Sequence, residues 1–271
     1  MATIYEPKGK AREYSPLALN PYIGCNHGCK YCYVPMIRRV TQEENSNIRE
    51  RNDFIESLKR DARNIKDRTK QVLLSFTTDP YNSQEPIKRL TRKSLEILFE
   101  NKIPCSVLTK AGTKSLVDID LFKKFGNSIQ VGATLTFDND KDSLEWEPGA
   151  SLPDDRIEML KILKRNNVKT FASFEPVIEP EQSINLINKT IEFVDIFKIG
   201  KLNNNFKEIQ DRINWSDFLG KVVRILRGKN KPFYVKYDLR RICPEIKLFG
   251  NEVLPDEHNA FPFQRTQISI F

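Results

Sequence analysis

Three cysteines lie within eight residues near the start of the chain, and their spacing is the strongest chemical signal in the sequence. They are Cys25, Cys29 and Cys32 in the string GCNHGCKYCY, which has the pattern C-x-x-x-C-x-x-C. Three thiolates on one tight loop can bind three irons of a 4Fe–4S cluster and leave the fourth iron without a protein ligand. An open coordination position distinguishes a reactive metal site from a structural one. We therefore predict a 4Fe–4S cluster on these three cysteines.

A zinc site that uses the same cysteines together with His27 is the alternative. Zinc sites usually combine one C-x-x-C pair with a second, distant pair of ligands. The other two cysteines, Cys105 and Cys243, stand alone in the sequence, and His27 follows Cys25 by only two residues. The spacing therefore favours the cluster. We expect Cys105, which begins a predicted strand, to be a small buried residue.

The elements that must position this loop alternate between strands and helices. Short runs rich in Val, Ile and Phe, which are typical of strands covered on both faces, are separated by helical patterns. The candidate strands are residues 72–76, 104–109, 129–137, 168–174, 193–199 and 233–237, with 19–24 as a short first strand. This alternation predicts parallel strands joined by crossover helices. We predict an α/β fold in which a partial or full (β/α) barrel carries its helices on the outside.

Polar residues lie at the ends of several predicted strands or directly after them. They are residues 77–79, 109–110 and 134–136, together with Glu175. Parallel sheets carry their functional loops at the carboxyl ends of the strands. Because the cysteine run follows the short first strand, we expect it to lie at the same rim as these polar residues.

Length and composition indicate a folded, single-domain protein. The 271 residues are 39% hydrophobic and 30% charged, and no linker rich in Pro, Gly or Ser divides them. We predict one domain over residues 1–271, with a core at about 15–200 and a covering or substrate-specificity segment at 201–271. No apolar run approaches the roughly 20 residues of a membrane span, and the first residues lack a hydrophobic signal segment. The expected location is therefore cytoplasmic, where clustered cysteines favour metal binding over disulfides.

The excess positive charge is concentrated in one segment. Of the formal net charge of +8, residues 220–241 carry +7, from eight Lys or Arg against Asp238 alone, with Phe233, Tyr234 and Tyr237 among them. Cations interleaved with aromatic residues suit the phosphates and stacked bases of a nucleic acid. A helix with a solvated cationic face, or a docking patch for an acidic protein such as an electron donor, explains the charge equally well.

The cysteine run and four further strings together resemble the radical SAM superfamily, and more narrowly its spore photoproduct lyase-like branch. The strings are LNPYIGCNHGCKYCYVP (19–35), LSFTTDPYNSQE (74–85), LTKAG (108–112), VGATLTFDND (131–140) and LEWEPGASLPDDRIEMLKIL (144–163), and the resemblance covers roughly residues 15 to 180. It implies an enzyme that uses the cluster to cleave S-adenosylmethionine reductively. The resulting 5′-deoxyadenosyl radical abstracts hydrogen from a substrate that the sequence does not identify. The resemblance also implies a low-potential electron donor, a flavodoxin or a ferredoxin.

The same resemblance implies roles for polar residues that follow the strands. Lys110 would meet the methionine carboxylate of S-adenosylmethionine, and Thr134 and Thr136 lie where the family contacts its ribose and methionyl group. Asp79 lies in a loop that lines the methionine site, and Tyr31 could pack on the adenine or shield the cluster. For each charged residue the simpler alternative is a helix cap or a surface charge.

Glu147 and Arg156 fall in an E-P-G…R pattern that, by the same resemblance, contacts the cofactor or braces its loop. One position departs from the family. Spore photoproduct lyases carry a cysteine, which returns a hydrogen atom to the repaired thymine, where this chain has Phe76 in the string SFTTD. We therefore expect no repair by that route. The hydrogen would come instead from Tyr33, or from Cys243 if the C-terminal segment covers the barrel mouth.

Two other classes of protein stay open at the level of the sequence. One is a metal- or cluster-containing protein that binds nucleic acid without catalysis, and the other is a redox sensor whose cluster falls apart in oxygen. Turnover of S-adenosylmethionine separates the enzyme from both. Colour separates a brown cluster from a colourless zinc site.

Overall fold

Seven parallel strands form one open sheet in the computed structural model, which describes residues 3–203 and 206–264. In spatial order the strands are β1 (Leu17–Leu19), β4 (Val72–Leu74), β5 (Cys105–Thr109), β6 (Ile129–Thr134), β7 (Lys169–Val177), β8 (Ile196–Lys201) and β9 (Phe233–Val235). A separate antiparallel pair consists of β2 (Tyr22–Ile23) and β3 (Arg49–Glu50). Among the described residues β1 does not pair with β9, so the sheet does not close. The predicted α/β fold is confirmed, and its barrel is partial.

Helices connect the strands and pack against the sheet. They are α1 (Val34–Arg38), α2 (Gln42–Ser46), α3 (Phe54–Asn64), α4 (Glu85–Lys88), α5 (Leu90–Glu100), α6 (Ile119–Phe125), α7 (Asp140–Trp146), α8 (Pro153–Arg165), α9 (Pro180–Thr190), α10 (Lys207–Arg212), α11 (Trp215–Gly228) and α12 (Tyr237–Ile242). In α11 the buried residues follow the spacing of one helix face: Phe218, Leu219, Val222, Val223 and Leu226. Burial of each such side chain contributes about 1.5–3 kcal/mol. Within 3–203 and 206–264, no helix has both the length and the apolar character needed to cross a membrane.

The first strand of the sheet begins earlier than predicted. It is Leu17–Leu19 and not residues 19–24. Pro21 explains the end of the strand, because proline has no amide hydrogen to donate to the ladder. Asn20 turns the chain at the same point, and its Oδ1 accepts hydrogen bonds of 2.8 and 2.9 Å from two consecutive amides in the loop after β4. The chain thus leaves the sheet before it reaches the cysteines.

The C-terminal part of the described chain closes the amino end of the sheet. The amide of Ala260 donates to Gln71 Oε1 (2.7 Å), just before β4. The amide of Phe261 donates to the carbonyl of Asn127 (3.0 Å), just before β6. This part of the predicted covering segment therefore lies beneath the barrel and not over its mouth. Its last residues, 265–271, lie outside the described residues.

Candidate functional site

A cavity of about 470 Å³ lies at the carboxyl ends of the strands. Its wall contains the three cysteines of the predicted cluster site, Cys25, Cys29 and Cys32. Residues from the ends of β4 to β9 also line it, namely Ser75, Thr109, Lys110, Thr134, Glu175, Lys201 and Lys236. The cysteine loop and the polar strand ends therefore meet at one rim, as the alternating pattern predicts.

Backbone hydrogen bonds to two other segments hold the cysteine loop. The amide of Cys25 donates to the carbonyl of Asn45 (2.8 Å), and the amide of Lys30 donates to the carbonyl of Trp146 (2.8 Å). Gly149 packs so closely against the loop that a Cβ at this position would overlap a carbonyl oxygen of the loop. The segment with the E-P-G string therefore supports the cysteine loop through main-chain contacts, one of which requires glycine.

The donor set fits a cluster better than a single zinc ion. All three cysteines of the loop line one cavity, and the five cysteines of the chain, which all lie in the described ranges, form no disulfide. Zinc needs four ligands around one point, whereas the loop offers three thiols and its His27 lies against Asp79. Three thiolates can instead bind three different irons of a cluster. Burial raises the pKa of Cys25 to about 11 and of Cys29 to about 12, so each thiol must lose a proton when it binds iron.

Asp79 lies on the cavity wall, but protein donors occupy its carboxylate. It accepts hydrogen bonds from the amide of Tyr81 (2.9 Å), the hydroxyl of Thr109 (2.7 Å) and the amide of Lys110 (2.8 Å). His27 is also near, with its Nδ1 3.6 Å from Asp79 Oδ2. Asp79 therefore fixes the turn after β5 and the backbone of Lys110, and His27 lies against this carboxylate.

Glu147 and Arg156 form a buried ion pair next to the cysteine loop. Arg156 Nη2 lies 2.5 Å from Glu147 Oε2, and the same guanidinium donates to two backbone carbonyls at 2.7 and 3.0 Å. Glu147 Oε1 accepts hydrogen bonds from the hydroxyls of Tyr31 and Thr136. Burial alone would raise the pKa of Glu147, but Arg156 and Lys110 lower it, so the carboxylate stays charged. Neither Glu147 nor Arg156 is among the described residues that line the cavity. Their geometry therefore favours a role in bracing the cysteine loop.

Lys110 and Tyr31 lie side by side on the cavity wall. The Nζ atom of Lys110 is 5.5 Å from the centre of the Tyr31 ring. Burial lowers the pKa of Lys110, but Cys29 and Glu147 more than offset this effect and raise it, so the ammonium stays charged. Thr134, at the end of β6, lies on the same wall. A charged amine and a hydroxyl beside three thiols could bind the carboxylate and polar groups of S-adenosylmethionine. We call Cys25, Cys29, Cys32, Lys110 and Thr134 the cysteine wall.

The structure places the two candidate hydrogen donors differently. Tyr33 lines the cavity, and its hydroxyl donates to the carbonyl of Phe76 (2.7 Å). Phe76 lines the same cavity. Cys243, just after α12, is 1% exposed and packs in the main hydrophobic core. It is absent from the described residues that line the cavity, because α12 packs against α11 and β8. The structure therefore does not bring Cys243 to the cysteine loop.

A second network lies on the same cavity, at the ends of β7, β8 and β9. The hydroxyl of Tyr14 donates to Glu175 Oε2 (2.7 Å) and lies 2.6 Å from Ser173 Oγ. Lys236 Nζ donates to both carboxylate oxygens of Glu175, at 3.0 and 2.8 Å. Four lysines line this part of the cavity, and we call them the lysine wall: Lys8, Lys10, Lys201 and Lys236. Sequence reasoning missed Tyr14 and the N-terminal lysines, because no motif marks them.

The sequence profile of the Radical SAM superfamily matches residues 19–194, which is about two thirds of the chain. The chain belongs to this superfamily. An uncharacterised protein of Methanocaldococcus jannaschii, MJ0683, is 30% identical to this radical SAM protein over 196 residues, which are 68% of this chain and 70% of that protein. The predicted resemblance is therefore confirmed for the superfamily, and the roles of individual residues stay predictions.

Solved structures share the fold of this radical SAM protein. SuiB of Streptococcus suis bound to S-adenosylmethionine gives a TM-score of 0.62 at 18% identity, and the match covers 86% of this chain and 53% of SuiB. A spore photoproduct lyase complexed with dinucleoside spore photoproduct gives 0.59 at 14% identity, with 82% and 76% covered. This chain thus spans about half the length of SuiB.

The basic segment 220–241 of this radical SAM protein does not present one cationic face. Arg227 pairs with a buried carboxylate at 2.6 Å, and Lys221 and Lys229 pair with carboxylates at 3.0 and 3.5 Å. Of the cations in this segment, which the structure describes completely, Lys236 alone lines the cavity. The predicted contact with nucleic acid through the whole segment therefore gains no support from its geometry.

Proposed function

We propose that this protein is a radical SAM enzyme that binds a 4Fe–4S cluster on Cys25, Cys29 and Cys32 and binds S-adenosylmethionine in the adjoining cavity. A cluster and S-adenosylmethionine held there would supply hydrogen-atom abstraction from the substrate by a 5′-deoxyadenosyl radical. The proposal depends on one observation: three thiols that form no disulfide within the described residues share one cavity wall with Lys110 and Thr134.

Lys110 would bind the methionine carboxylate through a charge-assisted hydrogen bond. Its surroundings support this role, since Asp79 accepts from its amide (2.8 Å) and Glu147 helps to keep its ammonium charged. The hydroxyl of Thr134 would bind a polar group of the same cofactor. Tyr31, whose ring lies next to the ammonium of Lys110 and whose hydroxyl donates to Glu147, would shield the cluster. The buried ion pair would then act by holding Tyr31 and the loop in place.

The lysine wall favours a substrate that carries negative charge. Lys10 pairs with Asp238, whereas burial and then the like charges of Lys10 and Arg241 lower the pKa of Lys201. Cations that repel one another in this way are stabilised by a bound anion. The phosphate of a nucleic acid is such an anion, so we assign the proposed nucleic-acid contact to this wall, to which the segment 220–241 contributes Lys236 alone among its cations.

Return of the hydrogen atom would not follow the route of the spore photoproduct lyases. Phe76 stands where they have a cysteine, so we propose lyase or other hydrogen-abstraction chemistry without efficient repair of spore photoproduct. Tyr33 is the proposed hydrogen donor, because it lines the cavity and its hydroxyl is held by the carbonyl of Phe76. Clean repair of a dinucleoside photoproduct by the reconstituted protein would overturn this part of the proposal.

Anaerobic reconstitution with iron and sulfide, followed by reduction with dithionite in the presence of S-adenosylmethionine, tests the proposed function. We expect about four irons per chain and formation of 5′-deoxyadenosine. Cys29→Ala should lose both. Cys105→Ala should keep both, since Cys105 is buried in β5 and is not among the described residues that line the cavity.

A full cluster in the Cys29→Ala protein would contradict the ligand assignment. A full cluster without formation of 5′-deoxyadenosine would favour a redox sensor or a nucleic-acid-binding protein without catalysis. Colourless protein that binds one zinc ion would favour the zinc alternative.

A further inference from the structure

A second cavity, of about 530 Å³, borders the cysteine loop. Asn26, His27 and Gly149 line it, and His27 also lines the main cavity. The loop with the proposed cluster ligands therefore separates the two cavities. Because consecutive Cα atoms are about 3.8 Å apart, Asn26 brings the second cavity within one residue of Cys25.

The rim of the second cavity is cationic and apolar. Arg89 and Lys114 line it, are exposed, and form no ion pair with any residue that the structure describes. Pro86 and Val117 also line the cavity and expose apolar surface, and Ile87, next to Pro86 in α4, is 73% exposed. We call these five residues the outer rim.

Acidic side chains at this cavity do not cancel the charge of the outer rim. Glu85 is buried and accepts hydrogen bonds from the hydroxyl of Tyr22 and the amide of Arg92 (3.1 Å). Asp118 is also buried, and it pairs with the side chain of Arg92 (2.9 Å). Both carboxylates are satisfied inside the protein, so the surface around the second cavity presents positive charge.

We propose that a small acidic one-electron carrier protein, of the flavodoxin type, docks on the outer rim and delivers its electron through Asn26 and His27. The proposal rests on the proposed function, because it needs a cluster on the cysteine loop. The reduced carrier loses one electron, the oxidised cluster gains it, and no bond or proton is exchanged. S-adenosylmethionine and substrate would fill the main cavity during turnover, which leaves the second cavity as the approach to the loop.

The chemistry of the outer rim matches such a carrier. Acidic residues of the carrier complement Arg89 and Lys114, which speeds the encounter and sets the orientation. Exposed Ile87 and Val117 can cover the apolar surface around the carrier's prosthetic group, as apolar residues do at the centre of an interface. The segment 220–241 is a poorer docking site, because none of its residues, all of them described, lines the second cavity.

Calorimetric titration of the reconstituted protein with an oxidised flavodoxin, at low and at high salt, tests the docking surface. The variant Arg89→Glu/Lys114→Glu should bind about tenfold more weakly or worse, because it reverses two charges at an electrostatically steered interface. The matched control, Arg224→Glu/Lys247→Glu, reverses two exposed cations in or near the segment 220–241 and should bind like the unchanged protein. Both proteins should keep their iron content.

Reduction of the cluster gives a second measurement. Reduced flavodoxin should bleach the cluster of Arg89→Glu/Lys114→Glu slowly, whereas dithionite, which needs no docking, should bleach it at the normal rate. Ile87→Gln, which changes no charge, should also weaken flavodoxin binding. Weak binding by Arg224→Glu/Lys247→Glu together with normal binding by the outer-rim variant would overturn the docking proposal. Failure of dithionite to reduce any cluster would overturn the proposed function instead.

Discussion

Charge is arranged differently along the cysteine wall and the lysine wall of the main cavity. Next to the cysteine wall, Arg156 and Glu147 neutralise each other inside the protein, and Lys110 is left as the cation that faces the cavity. Along the lysine wall, Glu175 pairs with Lys236, and Lys8, Lys10 and Lys201 line the same part of the cavity. The first wall is braced by protein contacts, whereas the second concentrates positive charge, which we propose that an anionic substrate balances. Changes beside the first should therefore affect stability and cofactor binding, and changes on the second should affect salt-dependent substrate binding.

The largest effect should come from breaking the ion pair next to the cysteine wall. Arg156→Met leaves the buried carboxylate of Glu147 without its ion-pair partner and should lower the free energy of unfolding by about 3–5 kcal/mol. Urea unfolding of the metal-free protein measures this loss. The double variant Glu147→Gln/Arg156→Met removes both charges and should recover part of the stability. Equal losses in the two variants would show that packing outweighs charge at this position.

The next effect concerns the cofactor. Lys110→Ala should weaken S-adenosylmethionine binding by roughly ten- to a hundredfold, because a hydrogen bond to a charged group contributes about 1.5–3 kcal/mol. The iron content should not change. Lys114→Ala, four residues further on at the second cavity, is the matched control and should bind the cofactor normally. Equilibrium dialysis measures the affinity of both variants for S-adenosylmethionine. If Lys110→Ala binds as tightly as Lys114→Ala, Lys110 is a surface charge without a role in cofactor binding.

A pH effect is expected beneath the lysine wall. Lys198 is 1% exposed, and its Nζ lies 3.4 Å from the carbonyl of Tyr14. Burial lowers the pKa of Lys198, and the like charges of Lys236 and Lys169 lower it further, to about 7. In an unfolded chain the pKa of a lysine is about 10.4. Between these values the unfolded chain binds more protons, so the stability should rise with pH by at most about 1.4 kcal/mol per unit.

Lys198→Met should remove this contribution and flatten the rise. Urea unfolding of both proteins at pH 7 and pH 9 measures the difference in slope, and the variant should be the more stable protein at pH 7. If stability rises equally in both proteins, the slope belongs to other groups.

The smallest effect should be that of one lysine at the cavity. Lys201→Ala should weaken binding of a single-stranded oligonucleotide severalfold and reduce the slope of log affinity against log salt by about 0.7, the value for one phosphate. Affinity for S-adenosylmethionine should stay the same. Arg224→Ala, on the exposed face of α11, is the control and should leave the slope unchanged. Salt-independent binding, or none, would favour a small-molecule or peptide substrate.

The two walls also differ in how far the sequence predicts them. The cysteine wall is assembled from short continuous strings, and the position of Lys110 follows from the end of one strand. The role of Asp79 as a brace did not follow, because its donors come from a turn and from the next strand. Tyr14 and Lys236 are more than 200 residues apart, and no local pattern brings them together.

For the basic segment 220–241, the sequence likewise predicts the number of charges but not their partners. Its count of cations is correct, but the sequence does not indicate which carboxylates fold back onto it. Glu252, which pairs with Arg227, lies outside the segment and becomes its partner only through the path of the C-terminal chain. Cys243 likewise depends on the direction of α12, which packs it into the core.

The main-chain contacts that hold the cysteine loop have a consequence for how the proposed cluster would assemble. Hydrogen bonds to Asn45 and Trp146, and the close approach of Gly149, use protein atoms only. The conformational entropy of ordering this loop, about 1–2 kcal/mol per residue, is therefore lost when the chain folds and not when iron binds. Zinc fingers behave in the opposite way, since their metal supplies the free energy of folding. Damage to the cluster by oxygen should consequently leave a folded apoprotein, which iron, sulfide and reductant can refill without refolding.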